Sequence, residues 1–197
     1  MANLTHSSKL ASNWTRADLD LYNITLLHQN AATFFETHHL PQSQLSQVNP
    51  EILNIQDALD MTIGNNQELI NLLDLAMIPI SPEEPPESAV CDFTFRLFQM
   101  LHYAWDHHLV CTRRNIQLLV CGKLKHAKVD VSLFDCYKGN FMLLVQENKH
   151  FGDSKMARGD ANAQLIAGAV AAFSYNNHRR WETRQPLVES QVCASYF

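Results

Sequence analysis

Four prolines within eight positions, Pro79, Pro82, Pro85 and Pro86, constrain this chain more than any other feature of its sequence. Proline fixes φ and carries no amide hydrogen, so the stretch ProIleSerProGluGluProProGluSer at 79–88 can continue neither a helix nor an interior strand. The chain is therefore read as a region 1–80 and a region 81–197 joined by this linker. Upstream, apolar residues recur at helical spacing in two places. They are Leu19, Tyr22, Leu26 and Leu27 between Trp14 and Phe35, and Ile55, Leu59, Ile63, Leu69, Leu72 and Leu73 between Ile52 and Leu75. That spacing predicts a mainly helical region, with a polar connection at 41–50. No internal repeat is present.

With 197 residues, 46% of them hydrophobic, the chain can bury one sizeable core or two small ones. Its composition excludes collagen-like, low-complexity and wholly disordered classes. No apolar run approaches the roughly eighteen residues of a membrane span, and the first ten residues lack the apolar stretch of a secretory signal. The expectation is a soluble intracellular protein, cytoplasmic or nuclear, with no membrane partner. Five dispersed cysteines without a C-x-x-C pair fit a reducing compartment. Neither His38 and His39 nor His102, His107 and His108 combine with them at zinc-finger spacing.

Charge is segregated along the sequence. Residues 1–90 carry two basic and eleven acidic side chains, and residues 91–197 carry thirteen and nine, so the chain's −5 divides into −9 and +4. A mildly basic second half permits a polyphosphate partner without requiring one. In that half Ser88 can cap a helix whose positions Phe93, Leu97, Phe98, Leu101 and Trp105 form a core stripe. The segments 116–121, 128–135 and 141–146 read as strands, being short, branched or aromatic and bounded by turn residues. Ala161 to Phe173 reads as a small-residue helix able to lie close against a sheet.

The stretch 128–149 carries the chemistry. A turn centred on Lys138 and Gly139 would set Asp130 opposite Glu147 and Lys128 opposite Lys149, whereas a slip of one residue would pair Asp130 with Gln146. Two carboxylates brought together at the end of an apolar hairpin raise each other's pKa unless a cation neutralises them. Mg²⁺, or Mn²⁺ in its place, suits Asp130, Glu147, the Asn148 carbonyl and a substrate phosphate as hard oxygen ligands. Lys149 would then stand where negative charge develops, or assist a metal-bound water.

The pattern ValAspVal at 129–131, ValGlnGluAsnLys at 145–149 and AlaGlnLeuIleAlaGlyAlaValAlaAlaPhe at 163–173 resembles the PD-(D/E)xK nuclease superfamily, the restriction-endonuclease-like fold. Within it the likeness extends to a group of basidiomycete proteins through AsnTrpThrArgAlaAspLeuAspLeuTyrAsnIle at 13–24 and ProGluSerAlaValCysAspPhe at 86–93. The resemblance implies an α/β (α+β) core with a small mixed sheet flanked by helices, preceded by the helical region. It implies metal-dependent hydrolysis of phosphodiester bonds in DNA or RNA. Asp130 takes the place of the motif acid, Glu147 and Lys149 that of E-x-K, Gln164 that of a glutamine near metal or phosphate, and Asp92 that of a further acid on the first core helix. Proteins of this kind continue past the Gln164 helix into further strands, whereas this chain stops at Phe197, so the expectation is a core that lacks those strands unless a substitute is supplied. An exposed sheet edge could be covered by residues 187–197 or by a second copy of the chain.

Each of these residues also has a plainer reading. Asp130, Glu147 and Lys149 could form a ladder of surface ion pairs, Gln164 could satisfy a buried backbone group, and Asp92 could favour a helix's first turn. Lys123, Lys125 and Lys128 could track phosphates or solubilise an edge strand, and Arg179 and Arg180 could hold a nucleic-acid backbone or complement a helix C-terminus. A catalytically inactive relative that binds nucleic acid or protein is the alternative to an Mg-dependent endonuclease-like hydrolase.

Overall fold

The structure is a computed structural model that describes residues 8–27, 29–34, 49–78, 87–145 and 155–187. Its helices are α1 (Arg16–Leu21), α2 (Ala31–Phe34), α3 (Pro50–Asn54), α4 (Gly64–Met77), α5 (Glu87–Met100) and α6 (Lys155–Glu182). Its strands are β1 (His108–Val120), β2 (Lys123–Asp135) and β3 (Asn140–Val145), in spatial order β1-β2-β3. The protein is a mixed α+β fold. The sheet is antiparallel throughout the described residues rather than mixed, because tight turns make both connections and such turns can only reverse the chain.

Cys121 and Gly122 form the first turn, with φ of 49° and 72°. Positive φ at both central residues is the geometry whose twist matches the flanking strands. In the second turn the Asp135 carboxylate accepts the amides of Tyr137 and Lys138, each at 2.9 Å. The Lys138 amide is the main reason its carboxyl lies below the usual range. Gly139 follows at φ 66°, and a Cβ there would stand 3.3 Å from the Arg179 guanidinium of α6.

Three helices end where a residue other than glycine adopts a left-handed conformation. Asn23, His102 and Arg184 have φ of 56°, 58° and 56°. In each case the next amide reaches back five residues, Ile24 to Leu19 O, Tyr103 to Phe98 O and Gln185 to Arg180 O, which satisfies a terminal carbonyl. The expected helix from Trp14 to Phe35 is therefore broken after Leu21. The expected α5 stripe stops short of Trp105, which is 69% exposed. Ser88 lies inside α5, not at its cap. The helix expected over Ile52–Leu75 is also interrupted, and α4 starts afresh at Gly64 behind Ile63, which has no capping side chain. Just ahead of α4 the Glu51 carboxylate accepts from the amides of Thr62 and Ile63 and from Asn66 Nδ2, which ties α3 to the start of α4. The Thr62 amide is the chief cause of its lowered pKa.

The main core lies between the sheet and α6. Ala163, Ala167 and Ala171, all fully buried at four-residue spacing, let α6 approach Ile116, Leu118, Ala127 and Val129 closely. Trp14 and Leu19 from upstream of the prolines belong to the same core. Trp14 stacks on Tyr22 at 5.1 Å, and the Tyr22 hydroxyl lies 3.4 Å from the Cys121 thiol, a contact that pushes the phenol up to about 12. On the other side of the proline-rich stretch, Arg96 of α5 bonds Glu68 of α4 at 2.7 Å and Asn65 at 2.9 Å.

β3 is an edge strand, and at Phe141 its edge is closed from within the chain. The Asn176 side chain of α6 accepts the Phe141 amide and donates to the Phe141 carbonyl, both at 2.8 Å, as a neighbouring strand would. Of residues 187–197, expected as one substitute strand, all but Leu187 lie outside the described residues. No helix among the described residues is long and apolar enough to cross a membrane.

Buried Asp18 anchors α1. Lys9 Nζ lies 2.8 Å from it, and the Thr15 amide and hydroxyl each donate at 2.8 Å. Burial raises its pKa, but the hydrogen bonds from Lys9 and Thr15 outweigh burial and leave it below 3.8. A depressed folded pKa contributes stability above the unfolded value that disappears as pH falls through the folded one. Asp18→Asn is accordingly expected to destabilise at neutral pH by about 1.5–3 kcal/mol and to flatten the acid limb of a denaturation–pH profile. An unchanged acid limb would rule out this role.

Candidate functional site

Asp130 sits in the middle of the central strand, half-buried between buried Val129 and Val131. Of the two carboxylates on β1–β3, Asp135 accepts the amides of the second turn, and Asp130 is the one the sequence pattern singles out. Its surroundings are irregular. Thr112 pairs with Val131 and Arg114 with Val129, but the intervening rung of Arg113 with Asp130 drops out of the ladder, and Arg113 has φ 52°. Such local distortions re-aim side chains, and they concentrate beside functional sites. Burial changes at the same point: outward and inward residues alternate from Ile116 to Val120, whereas Val131, Ser132 and Leu133 are all buried. The α5 helix reaches this level of the sheet, where the Cys91 thiol donates to the Asp130 carbonyl at 3.4 Å.

The hairpin register differs from the sequence-based expectation. A turn centred on Lys138 and Gly139 would pair Asp135 with Met142, but Asp135 pairs with Asn140 and Phe134 with Phe141. A bulge then shifts the register by one residue, setting Leu133 opposite Leu143 and Val131 opposite Val145. The physical reason is that the turn tightens around the Asp135 carboxylate, so the loop holds four residues, 136–139, and the strand recovers only part of the offset. A rung of Asp130 with Glu147 does not follow from this ladder. Glu147, Asn148 and Lys149 themselves lie outside the described residues.

The remaining candidates fall in three places. Gln164 is half-buried on α6, next to fully buried Ala163, and Asp92 is exposed on α5, next to Cys91. On β2, Lys123 and Lys128 are exposed and Lys125 is half-buried. Arg179 and Arg180 occupy the last turn of α6, where Arg179 bonds Glu182 at 2.9 Å and Arg180 reaches Asn177 at 3.4 Å. Both arginines thus have partners within their own helix. Among the described residues no three His, Cys, Asp or Glu side chains gather into a metal-binding group. Sequence reasoning missed the Arg113 irregularity and the Asn176 clasp. An asparagine inside a helix gives no local sign that its amide will meet a strand 35 residues earlier.

The geometry defines a mixed α+β protein built on a three-stranded antiparallel meander with helices before and after it. No protein-family model, curated protein or solved structure matches the chain.

Proposed function

We propose that this protein is a divalent-metal-dependent hydrolase of phosphodiester bonds in nucleic acid. Asp130 and Glu147 with the Asn148 carbonyl hold Mg²⁺ or Mn²⁺, Lys149 stabilises charge on the phosphate, and Gln164 positions the phosphate or a ligand water. The observation that carries this reading is the half-buried Asp130 carboxylate at the distorted rung of the central strand, in a sheet flanked in sequence by α5 and α6. A small sheet flanked by helices is also part of what the PD-(D/E)xK resemblance implies, although the resemblance implies a mixed sheet.

Isothermal titration with MgCl₂ or MnCl₂ tests it. The wild-type protein is expected to bind the metal and to nick or degrade DNA or RNA, and Glu147→Ala is expected to lose the metal isotherm. Metal affinity that survives Glu147→Ala, or a wild-type protein inert on every nucleic acid in both metals, refutes the proposal.

The register favours a second reading. A ladder that brings Val145 to Val131 does not set Glu147 across from Asp130. A nuclease-like scaffold that binds nucleic acid or a protein partner without cleaving would show binding undiminished by Glu147→Ala and no hydrolysis.

A further inference from the structure

Arg113 alone, among the described residues other than glycine that have positive φ, lies inside a strand. Asn23, His102 and Arg184 end helices, Cys121 makes the first hairpin turn, and Asp106 lies between α5 and β1. At a helix end or a turn the left-handed conformation completes a hydrogen-bonded motif. Inside a strand it interrupts the ladder, and it brings the Cβ against the following carbonyl oxygen. Glycine would make the same bend without that crowding. The chain keeps an arginine there and bears the strain, which points to a use for the side chain.

The register shows where that side chain starts. Arg113 stands across from Asp130, between the rungs Thr112 with Val131 and Arg114 with Val129. Opposed residues on neighbouring strands have Cβ atoms about 4.5–5.5 Å apart, close enough for a guanidinium to bond a carboxylate directly. Arg113 is nevertheless exposed, and it forms no ion pair or hydrogen bond within the described structure. A regular rung at this level would favour a cross-strand ion pair, whereas the left-handed residue breaks the rung and leaves the guanidinium uncommitted. Its neighbour Arg114 is held, with its guanidinium 5.6 Å from the centre of the Phe134 ring. Of two adjacent arginines, one is thus fixed to the sheet and the other extends from it.

We infer that Arg113 is the phosphate clamp of the proposed hydrolase, its guanidinium taking the non-bridging oxygens of the scissile phosphodiester beside Asp130. This assignment rests on the reading of Asp130 as a metal ligand. Arginine suits the task better than lysine, because its planar fork matches two phosphate oxygens at once and its charge is permanent. A cation already in place where negative charge develops lowers the barrier without reorganising at the moment of reaction. The strained backbone then has a function: it holds the guanidinium near the carboxylate of the central strand without letting the two neutralise each other. A chain that needed only the bend would be served better by glycine.

Arg113→Lys, Arg113→Ala and Arg113→Gly test it, with Lys138→Gln on the second turn as the control for charge alone. On a labelled oligonucleotide that the wild-type protein cleaves in Mg²⁺, the alanine and glycine variants should each lose about 10²–10³-fold in turnover. Arg113→Lys should recover part of that loss, since it keeps the charge without the fork, and Lys138→Gln should cleave as the wild type does. All four should keep the MgCl₂ isotherm. In EDTA the alanine and glycine variants should lose about one unit of the log–log salt slope of oligonucleotide affinity. Arg113→Gly should unfold at a higher denaturant concentration than Arg113→Ala, because the two differ only in the Cβ that the left-handed conformation disfavours. Wild-type turnover in Arg113→Ala, an unchanged salt slope, an equal loss in Lys138→Gln, or a glycine variant no more stable than the alanine one overturns the clamp and leaves the hydrolase standing. A metal isotherm lost with Arg113 makes it a support for the ligand strand and also overturns the clamp. A wild-type protein that binds no metal or cleaves no oligonucleotide overturns the hydrolase and the clamp together.

Discussion

Lys149→Ala is expected to lower the turnover of a nucleic-acid substrate by about 10²–10³-fold while leaving metal affinity and substrate KM near their wild-type values. The magnitude is that of removing one preorganised charge-stabilising group from a transition state. An ammonium that acts only as negative charge develops contributes little to the ground state, so the loss should fall on kcat. Asp130→Asn should behave differently. Asparagine keeps the shape and one oxygen but removes the charge, so metal binding should weaken and activity fall with it, partly recovering at high Mn²⁺. Its cost in stability should be small, because a half-exposed strand position tolerates an isostere. Equal and parallel losses of metal affinity in both variants would show that Lys149 merely supports the strand. Full activity in both would leave only the binding reading.

Leu19→Ala is expected to be the most damaging single truncation, lowering unfolding free energy by about 2.7–5 kcal/mol. Leu19 is completely buried, at 0% exposure, in the core that Ile116, Ala127 and Ala167 share. Its neighbours are held by regular strands and by a helix of small residues, so the site cannot collapse to fill the void. Typical domain stability is about 5–15 kcal/mol, so the loss would be a large part of the total. The denaturation midpoint should drop with little change in slope. Since Leu19 lies upstream of the prolines and the sheet lies downstream, hydrogen exchange gives the sharper readout. Amides of β1 and β2 should lose protection together with those of α1. If β2 keeps its protection, the two regions unfold separately, as the proline-rich stretch alone would suggest.

The local structure of the second half was legible from sequence because local signals there agree with one another. Branched and aromatic residues from 128 to 146 separated by Tyr137, Lys138 and Gly139 announce a hairpin, and the alanines from 161 to 172 announce a helix that lies close to its neighbour. The first two strands and that helix are longer than the apolar pattern alone indicated: β1 starts at His108, β2 at Lys123, and α6 runs from Lys155 to Glu182. Ladder pairing continues past the buried rungs, so polar residues such as Asn115 and Lys125 take part without contributing to the hydrophobic pattern. The first half was less legible. Asn23 and Ile63 interrupt apolar periodicities that continue through them, one by adopting a left-handed helix end and the other by standing, with its amide held by Glu51, just ahead of a new helix.

What the amino-acid order determined by itself was the strands and the small-residue helix of the second half, the reversal of the chain around Lys138 and Gly139, and the concentration of positive charge between Leu109 and Val129. Backbone preferences and charge are properties of neighbours in sequence, so they can be read there. The partner of each strand residue, the clasp of Asn176 on Phe141, the sharing of one core by Leu19 and Ala167, and the irregular rung at Asp130 were decided only in three dimensions. Each depends on where a distant segment comes to rest, and a single residue's difference in a turn is enough to change which side chain stands opposite which.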